Sequence, residues 1–424
     1  MSLEKTQNLL GENTDMKITE LPIENIKPYH KNAKEHEKKQ VQKIANSIAE
    51  FGWGQPIVVD KEGVIIVGHG RYLAAKLLGL KKVPTLSLDL DEERAKSYRL
   101  ADNKLNESKW EMDIVIEELK TLSLQMLDLT GFDRNLILET QEDKPDLSSI
   151  GVPKSQVGDL YELGRHKIIC GDSVDPLTYQ KLLGEEKARM LFCDPPYGVD
   201  YVPREGGTYD NLERKIIGDD KTPEETKNLF ISALSALYKN STDDATIYWW
   251  YASSLADINI EAFRKTDWKI SQTCLWLKNS MIYSPGQNFH RVYEPCLVGW
   301  KNGKPRFINR TFANFTELWT VDLKTFQDHL DVWYQKRDST NKYIHPTQKP
   351  VQLAERALKR SSEENDIVLD AFGGSGSTMM ACEQLNRQGR IIELDPKYVD
   401  AIVLRYLQYT ETKEVIKNGK TIVW

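Results

Sequence analysis

The residues best placed to do chemistry stand at the ends of short apolar runs. Asp194-Pro195-Pro196-Tyr197 closes the run MLFC, the string Asp370–Thr378 (DAFGGSGST) closes IVL, and Glu393 ends the following run, IIE. Two consecutive prolines lock the backbone after Asp194, leaving its carboxylate and the Pro195 carbonyl aimed in a fixed direction. Two acceptors beside one aromatic ring suit an exocyclic amine: the acceptors take its hydrogens, and Tyr197 stacks on the ring. The amine lone pair of a base such as adenine is delocalised, so the nitrogen is a poor nucleophile. Hydrogen bonds from both N–H groups favour a more pyramidal nitrogen that can attack an electrophilic methyl group.

The second segment complements the first. Gly373, Gly374 and Gly376, interleaved with Phe372, Ser375, Ser377 and Thr378, let the backbone pass close to a ligand without Cβ interference. An acid at the end of the next strand, Glu393, can accept both hydroxyls of a ribose. The pair is a nucleoside-binding arrangement and not a phosphate-binding P-loop, because no G-K-[ST] follows. A tight strand-to-helix turn beside a solvated acid would use the same residue types.

These segments need elements to hold them. From Val157 onward, apolar strands (ARMLFC, TIYWWY, DIVLDAF, GRIIELD) alternate with helical patterns near Tyr179–Leu183, Pro223–Asn240, Val351–Ser361 and from Ser377. That alternation predicts a parallel α/β sheet, in which ligands bind beyond the carboxyl ends of the strands. Upstream the pattern differs. ITELPIENIKPY reads as a strand and turn, Val41, Ile44, Ala45 and Ile48 recur at helical spacing before Gly52, and QPIVVD and VIIVGHG form a hairpin about Lys61–Gly63. RYLAAKLLGL is a helix, VPTLSLDL a strand, and Asp91–Asn106 and Trp110–Leu122 are helices. Glu139–Gln156, with prolines, small polar residues and clustered acids, reads as a linker. The domains are therefore expected at 16–138 and 157–424, joined by 139–156.

Composition narrows the classes. A chain of 424 residues exceeds one ordinary core, and 40% hydrophobic with 28% charged residues excludes a mostly disordered chain. No stretch approaches the roughly 18 apolar residues of a membrane span, and the polar N-terminus lacks a signal core, so a cytoplasmic protein without a membrane partner is expected. Five cysteines with no C-x-x-C pair fit a reducing compartment and neither a disulfide framework nor a zinc cluster. The net charge of −6 means that nucleic acid would have to be met by local basic patches.

Taken with their order along the chain, the motifs resemble those of the DNA amino-methyltransferases that use S-adenosylmethionine. Asp194–Tyr197 resembles their catalytic motif and Asp370–Thr378 their cofactor loop, and the catalytic motif coming first is the order of the β subgroup. Gly171-Asp172-Ser173 resembles the motif upstream, whose acid lies near cofactor or base. His345-Pro346-Thr347-Gln348-Lys349-Pro350 resembles the segment at the methionine end of the cofactor, and Trp276-Leu277-Lys278 and Tyr293-Glu294-Pro295 resemble weaker features. The resemblance, covering about Val157–Tyr406, implies a Rossmann-like S-adenosylmethionine-dependent methyltransferase domain. It assigns Asp194, Pro195, Pro196 and Tyr197 to catalysis, and Asp172, Ser173, Lys349, Asp370, Phe372, Gly373, Gly374, Ser375, Gly376, Ser377, Thr378 and Glu393 to the cofactor.

The product expected from D-P-P-Y is N6-methyladenine, with cytosine-N4 methylation the alternative. Carbon-5 methylation would need a cysteine nucleophile; Cys296 follows a proline but reads as a buried strand residue. No metal is called for, because the sulfonium centre is already activated. A base inside a duplex must be flipped out to reach such a pocket, so double-stranded DNA is the expected partner, with RNA as the alternative. The basic, aromatic stretch from Lys301 to Lys349, with nine Lys/Arg against five acids, holds the expected target-recognition region at about 301–345. Arg204, Lys278, Arg306, Arg310, Lys336 and Arg337 are the candidate DNA contacts, and Tyr201–Asp219, which holds Arg204, is a second loop over the substrate.

The first domain, about Ile18–Asp133, resembles the smaller α+β N-terminal domain of ParB-like proteins. Gly68-His69-Gly70-Arg71 before the helix YLAAKLLG resembles their nucleotide-contacting box. His69 and Gly70 stand where CTP-hydrolysing members carry charged groups, which counts against hydrolysis, while Arg71 at a helix start could meet a phosphate. DNA or partner binding is the use expected of this domain. The sequence as a whole implies a phage or bacterial DNA methyltransferase of the restriction-modification type. A homodimer is among the assemblies allowed, and a non-catalytic ParB-like DNA-binding protein is the rival from another class.

Overall fold

In the computed structural model, the described residues are 17–30, 37–105, 112–132, 134–143, 145, 150–198, 217–282, 288–308, 330–336 and 348–424. The chain divides into two units, Met1–Ile137 and Leu138–Trp424. In the first, strands β1 (Ile18–Pro22), β2 (Ile57–Val59), β3 (Ile65–Val67) and β4 (Lys82–Ser87) form a mixed sheet in the order β1-β4-β2-β3. β2 and β3 are antiparallel, and their connection is tied by Asp60, whose carboxylate accepts the Glu62 and Val64 N–H groups. The helix Lys38–Phe51 ends at Gly52, which takes φ 75°. The helices His69–Leu77, Glu92–Leu105 and Met112–Lys120 fall close to the expected RYLAAKLLGL, Asp91–Asn106 and Trp110–Leu122, and Leu124–Thr130 adds one not expected, capped by the Ser123 hydroxyl on the Met126 N–H. Ile57, Ile65, Tyr72, Ala75 and Val83 form the core of this α+β unit.

The second unit is an eleven-stranded sheet built from β5 (Leu160–Leu163), β6 (His166–Cys170), β7 (Ala188–Cys193), β8 (Ser241–Trp250), β9 (Trp268–Ile282), β10 (Arg291–Lys301), β11 (Val332–Tyr334), β12 (Ile367–Asp370), β13 (Gln388–Glu393), β14 (Glu414–Lys417) and β15 (Lys420–Val423), in the order β11-β9-β10-β8-β7-β12-β13-β6-β5-β14-β15. The centre, β8-β7-β12-β13-β6, is parallel. Chain order reverses there: β7 continues outward to β8, and β12 returns beside β7 and continues the other way to β13. This is a switch point, where the loops leaving neighbouring strands diverge and open a crevice.

The central strands are buried on both faces, as parallel sheets require. On β8, Trp249 packs on one face with Phe230 and Phe263, and Trp250 on the other with Trp276 and Trp333, the two-residue period of a strand. The helix Pro223–Lys239 starts with a capping box between Thr222 and Glu225. The antiparallel pair β9–β10 extends one edge. At the other, Asn418 (φ 49°) and Gly419 (φ 76°) form the tight turn of the β14–β15 hairpin.

The stretch expected as a linker is fastened to the second unit. Thr140 donates its N–H and hydroxyl to Glu355, at 2.8 and 2.6 Å. Glu142 accepts the Val351 N–H at the start of the helix Val351–Ser361, and Asp143 pairs with the fully buried Arg405. Further on, the Lys154 and Ser155 N–H groups donate to Asp400. Two acids of this stretch, Glu142 and Asp143, are thus partners of buried donors. Among the described residues, no helix is long and apolar enough to cross a membrane.

Candidate active site

Four strand ends meet at one cavity of about 320 Å³. β6 contributes Gly171–Ser173, β7 contributes Asp194–Tyr197, β12 contributes Asp370–Ser375 with Ser377 and Thr378, and β13 contributes Glu393–Asp395. Of the residues assigned to catalysis or cofactor, all but Gly376 line it. Gly376 is the N-cap of the helix Ser377–Gln384 with φ 80°, and a Cβ there would lie 2.9 Å from Ile402 Cγ1. Ile217–Lys221, Gln348, Leu394, Asp395 and Tyr398 also line the cavity. Of these, Ile217–Asp219 fall in the expected substrate loop, Gln348 in the segment before Pro350, and Leu394 and Asp395 beside Glu393 in IIELDP; Asp220, Lys221 and Tyr398 carry no motif.

On the β12 loop, Asp370 accepts the Phe372 N–H at 3.0 Å and the Thr378 hydroxyl at 2.6 Å. Burial pushes its carboxyl up to about 8. Across the cavity, Glu393 accepts the Gly374 N–H at 2.7 Å through Oε2 and the Asp395 N–H at 2.8 Å through Oε1. Burial raises this group to about 7, although those donors favour the charged form. Gly373 packs so closely that a Cβ would meet Ile391 at 2.6 Å, so the loop is bent tightly under the cavity floor. Phe372 stands edge-on to Trp249, with ring centroids 5.8 Å apart. Asp172 accepts the Val174 N–H at 3.0 Å, and the Ser173 carbonyl accepts the Tyr179 hydroxyl at 2.7 Å.

At the end of β7, the Tyr197 hydroxyl donates to Asp194 Oδ1 at 2.9 Å, and Lys349 Nζ lies 2.5 Å from Asp194 Oδ2. Lys349, expected at the cofactor, therefore lines the cavity with its ammonium on the carboxylate of the other motif. Burial pushes the Asp194 carboxyl up from its usual value and Lys349 opposes that push. The Lys349 ammonium also lies 3.4 Å from Glu294, and Glu294 pairs with Lys278. Burial disfavours the Glu294 carboxylate, but the two lysines overcome it and hold the group at about 2.

Lys278 was expected at DNA; its side chain is 4% exposed and committed to Glu294, so it offers no cation to a phosphate. Arg306 is exposed and lies over the Trp300 ring at 4.4 Å, and Lys336 is exposed. Arg204, Arg310, Arg337, His345–Thr347 and most of 301–345 lie outside the described residues. Cys296 is buried in β10 opposite Cys274, and burial pushes its thiol far up, the reverse of what a nucleophile needs.

In the first unit, Gly68 caps its helix at φ 103°, His69 Nε2 accepts the Tyr29 N–H at 3.2 Å, and Gly70 is buried. Arg71 bonds to Gln55 and faces a cavity of about 610 Å³ lined also by Lys43, Ser47 and Trp53. The box thus splits: Arg71 lines this cavity and His69 is tied to the backbone of Tyr29.

Residues 188–404 match the DNA methylase family and residues 7–104 the ParB N-terminal domain. The ParB-like nuclease domain-containing protein YnaK of Escherichia coli strain K12 is 40% identical over 81 residues, 19% of this chain and 93% of that one. The type II methyltransferase M.HpaI of Haemophilus parainfluenzae is 28% identical over 255 residues, 55% of this chain and 72% of its own length. The crystal structure of the M1.HpyAVI–SAM complex superposes with a TM-score of 0.42 at 18% identity, covering 56% of this chain and 97% of that one. The chain belongs to the DNA methylase family, the site-specific DNA methyltransferases of the N6/N4 type, and carries a ParB N-terminal domain ahead of its methylase domain.

Proposed function

We propose that this DNA methyltransferase transfers a methyl group to the exocyclic N6 amine of an adenine flipped out of duplex DNA. The family's methyl donor is S-adenosylmethionine, which supplies an electrophilic methyl group on a sulfonium centre. The donor set of the cavity fits that molecule: carboxylates suited to hydroxyls, an amine and a sulfonium, with the Phe372 ring among them. On this reading Glu393 accepts the ribose hydroxyls, while Asp172 and the Asp370–Thr378 loop hold the remainder.

The base enters on the side of β7. Asp194 and the Pro195 carbonyl accept the two amine hydrogens, drawing the nitrogen lone pair out of the ring and aiming it at the methyl group. Tyr197 stacks on the base. Its hydroxyl bond to Asp194 fixes the ring and the carboxylate as one piece, so the stacking face and the acceptor arrive already aligned. The observation that carries the reading is the meeting of Asp194–Tyr197 and Asp370–Thr378 in one cavity at the switch point of the sheet.

Sequencing of modified bases in DNA from cells expressing the wild type or Asp194→Ala tests it. A wild-type-only N6-methyladenine mark within a short sequence motif is the expected result. A wild-type-only N4-methylcytosine mark would keep the mechanism and overturn the base, and absence of any mark despite good expression would overturn the reaction.

A further inference from the structure

The transfer mechanism uses one face of Asp194. Among the described residues, Asp194 also belongs to a buried array of charges, Asp194 and Glu294 with Lys349 and Lys278. Its members come from far apart in sequence. Glu294 and Lys278 lie on β10 and β9; Glu294 is opposite Trp276, which places Lys278 two residues further along the same face of the sheet. Lys349 precedes the helix Val351–Ser361. The ammonium groups rest on aromatic faces, Lys349 over Trp250 at 5.2 Å and Lys278 over Trp276 at 4.6 Å. Lys349 also bonds to the cofactor loop, since its main-chain oxygen accepts the Ser377 hydroxyl at 2.6 Å.

We propose that Lys349, balanced by Glu294 and Lys278, is a positioning residue of the transfer step: its ammonium holds Asp194 as an ionised acceptor while its backbone fixes the cofactor loop at the same distance. The proposal rests on the methyl-transfer reading. A protonated Asp194 loses its charge and one of its acceptor oxygens, so it draws far less on the amine hydrogens, and transfer is favoured by the carboxylate form. Among the described residues, the groups facing Asp194 are Lys349, Glu294 on β10, Tyr197 on its own loop, Asp370 on β12, and the neutral thiols of Cys193 and Cys296. Lys349 is the cation in this set, and Glu294 shares it.

The two partners therefore act on Asp194 with opposite sign. Removing the Lys349 charge leaves Asp194 buried beside Glu294, and its carboxyl rises. Removing the Glu294 charge deletes a like charge and leaves Lys349 wholly to Asp194, so the carboxyl falls.

The test is the pH dependence of the single-turnover methylation rate of the full chain, on duplex DNA carrying its mapped motif, with S-adenosylmethionine affinity measured by calorimetry alongside. Lys349→Met should move the acidic limb of the profile up by about 1–3 pH units, and Lys349→Arg should restore most of it. Glu294→Gln should move the limb down by up to about one unit. Because Glu294 does not line the cavity, that variant should keep cofactor affinity within about threefold. Should Lys349→Met fail to fold, Glu294→Gln and Lys349→Arg still decide. Limbs that shift in the same direction, a Glu294→Gln profile that does not move, or a loss of cofactor affinity as large as the rate change would overturn the proposal. A wild type that transfers no methyl group at all would instead refute the function on which it rests.

Discussion

Glu393→Gln gives the sharpest test of the cofactor side. Each carboxylate oxygen of Glu393 accepts one backbone N–H, at 2.7 Å from Gly374 and 2.8 Å from Asp395. A glutamine has a single acceptor oxygen, so in either orientation its NH₂ group faces one of these donors. The substitution removes a charge-assisted bond, leaves a buried N–H unmatched, and withdraws an acceptor from the ribose hydroxyls. A hydrogen bond to a charged group contributes about 1.5–3 kcal/mol, which corresponds to roughly a ten- to hundredfold loss of S-adenosylmethionine affinity. The pH dependence adds a second signature. With the Glu393 carboxyl near 7 in the free protein and its ionised form preferred by hydroxyl donors, binding releases a proton below that value. Wild-type affinity should therefore weaken as pH falls from 7, by up to about tenfold per unit, and the variant should lack that slope. Isothermal titration of the full chain between pH 6 and 8 measures both. A variant that binds within about threefold of wild type and keeps the wild-type slope would refute the assignment of Glu393 to the ribose.

Other expectations follow from the same loops. Asp370, raised to about 8 by burial, keeps a proton that the unfolded chain has already released, so its stabilising share is lost progressively from the ordinary carboxyl range near about 4 up to about 8 and changes no further above it. Asp370→Asn, which cannot ionise, should gain on the wild type as pH rises from about 5 to 8 and gain no more above that, as read by differential scanning fluorimetry; a difference in melting temperature that stays constant over this range would count against a neutral Asp370. Gly376→Ala places a Cβ at φ 80° against Ile402 and should cost about 1–3 kcal/mol in urea unfolding, whereas an unchanged midpoint would show the loop free to re-form.

Much of this site is legible in the amino-acid sequence because its loops are local. An apolar strand followed by D-P-P-Y or by a glycine-rich turn declares both the element and its end, and a parallel sheet brings such ends together. The 222–225 capping box and the Asn418-Gly419 turn are legible for the same reason, although only the helix was anticipated. Long-range pairing is not written that way. Lys349 lies 152 positions from Tyr197, which it reaches at 3.2 Å, and nothing in either segment points to the other. Lys278 was a candidate DNA contact, since a lysine is an ordinary partner of phosphate. The register of β9 on β10 buries it against Glu294 instead. Glu142 and Asp143 fall in the stretch read as a linker, since acids among prolines give no sign of the buried partners they hold far along the chain.

That last feature bears on how such proteins can be rearranged by recombination. A joint at residue 157, where the alternating strands begin, would transfer a methylase domain without Glu142 and Asp143. The helix Val351–Ser361 would lose its cap, and Arg405, fully buried and donating to the Ser375 carbonyl at 2.8 Å, would be stranded without its carboxylates. An uncompensated buried charge of this kind costs about 3–5 kcal/mol, a large part of a domain's stability. A joint at Leu138 carries these partners across. The stable methylase cassette is thus longer at its front than its chemistry, and it begins at a seam that the catalytic motifs themselves do not mark.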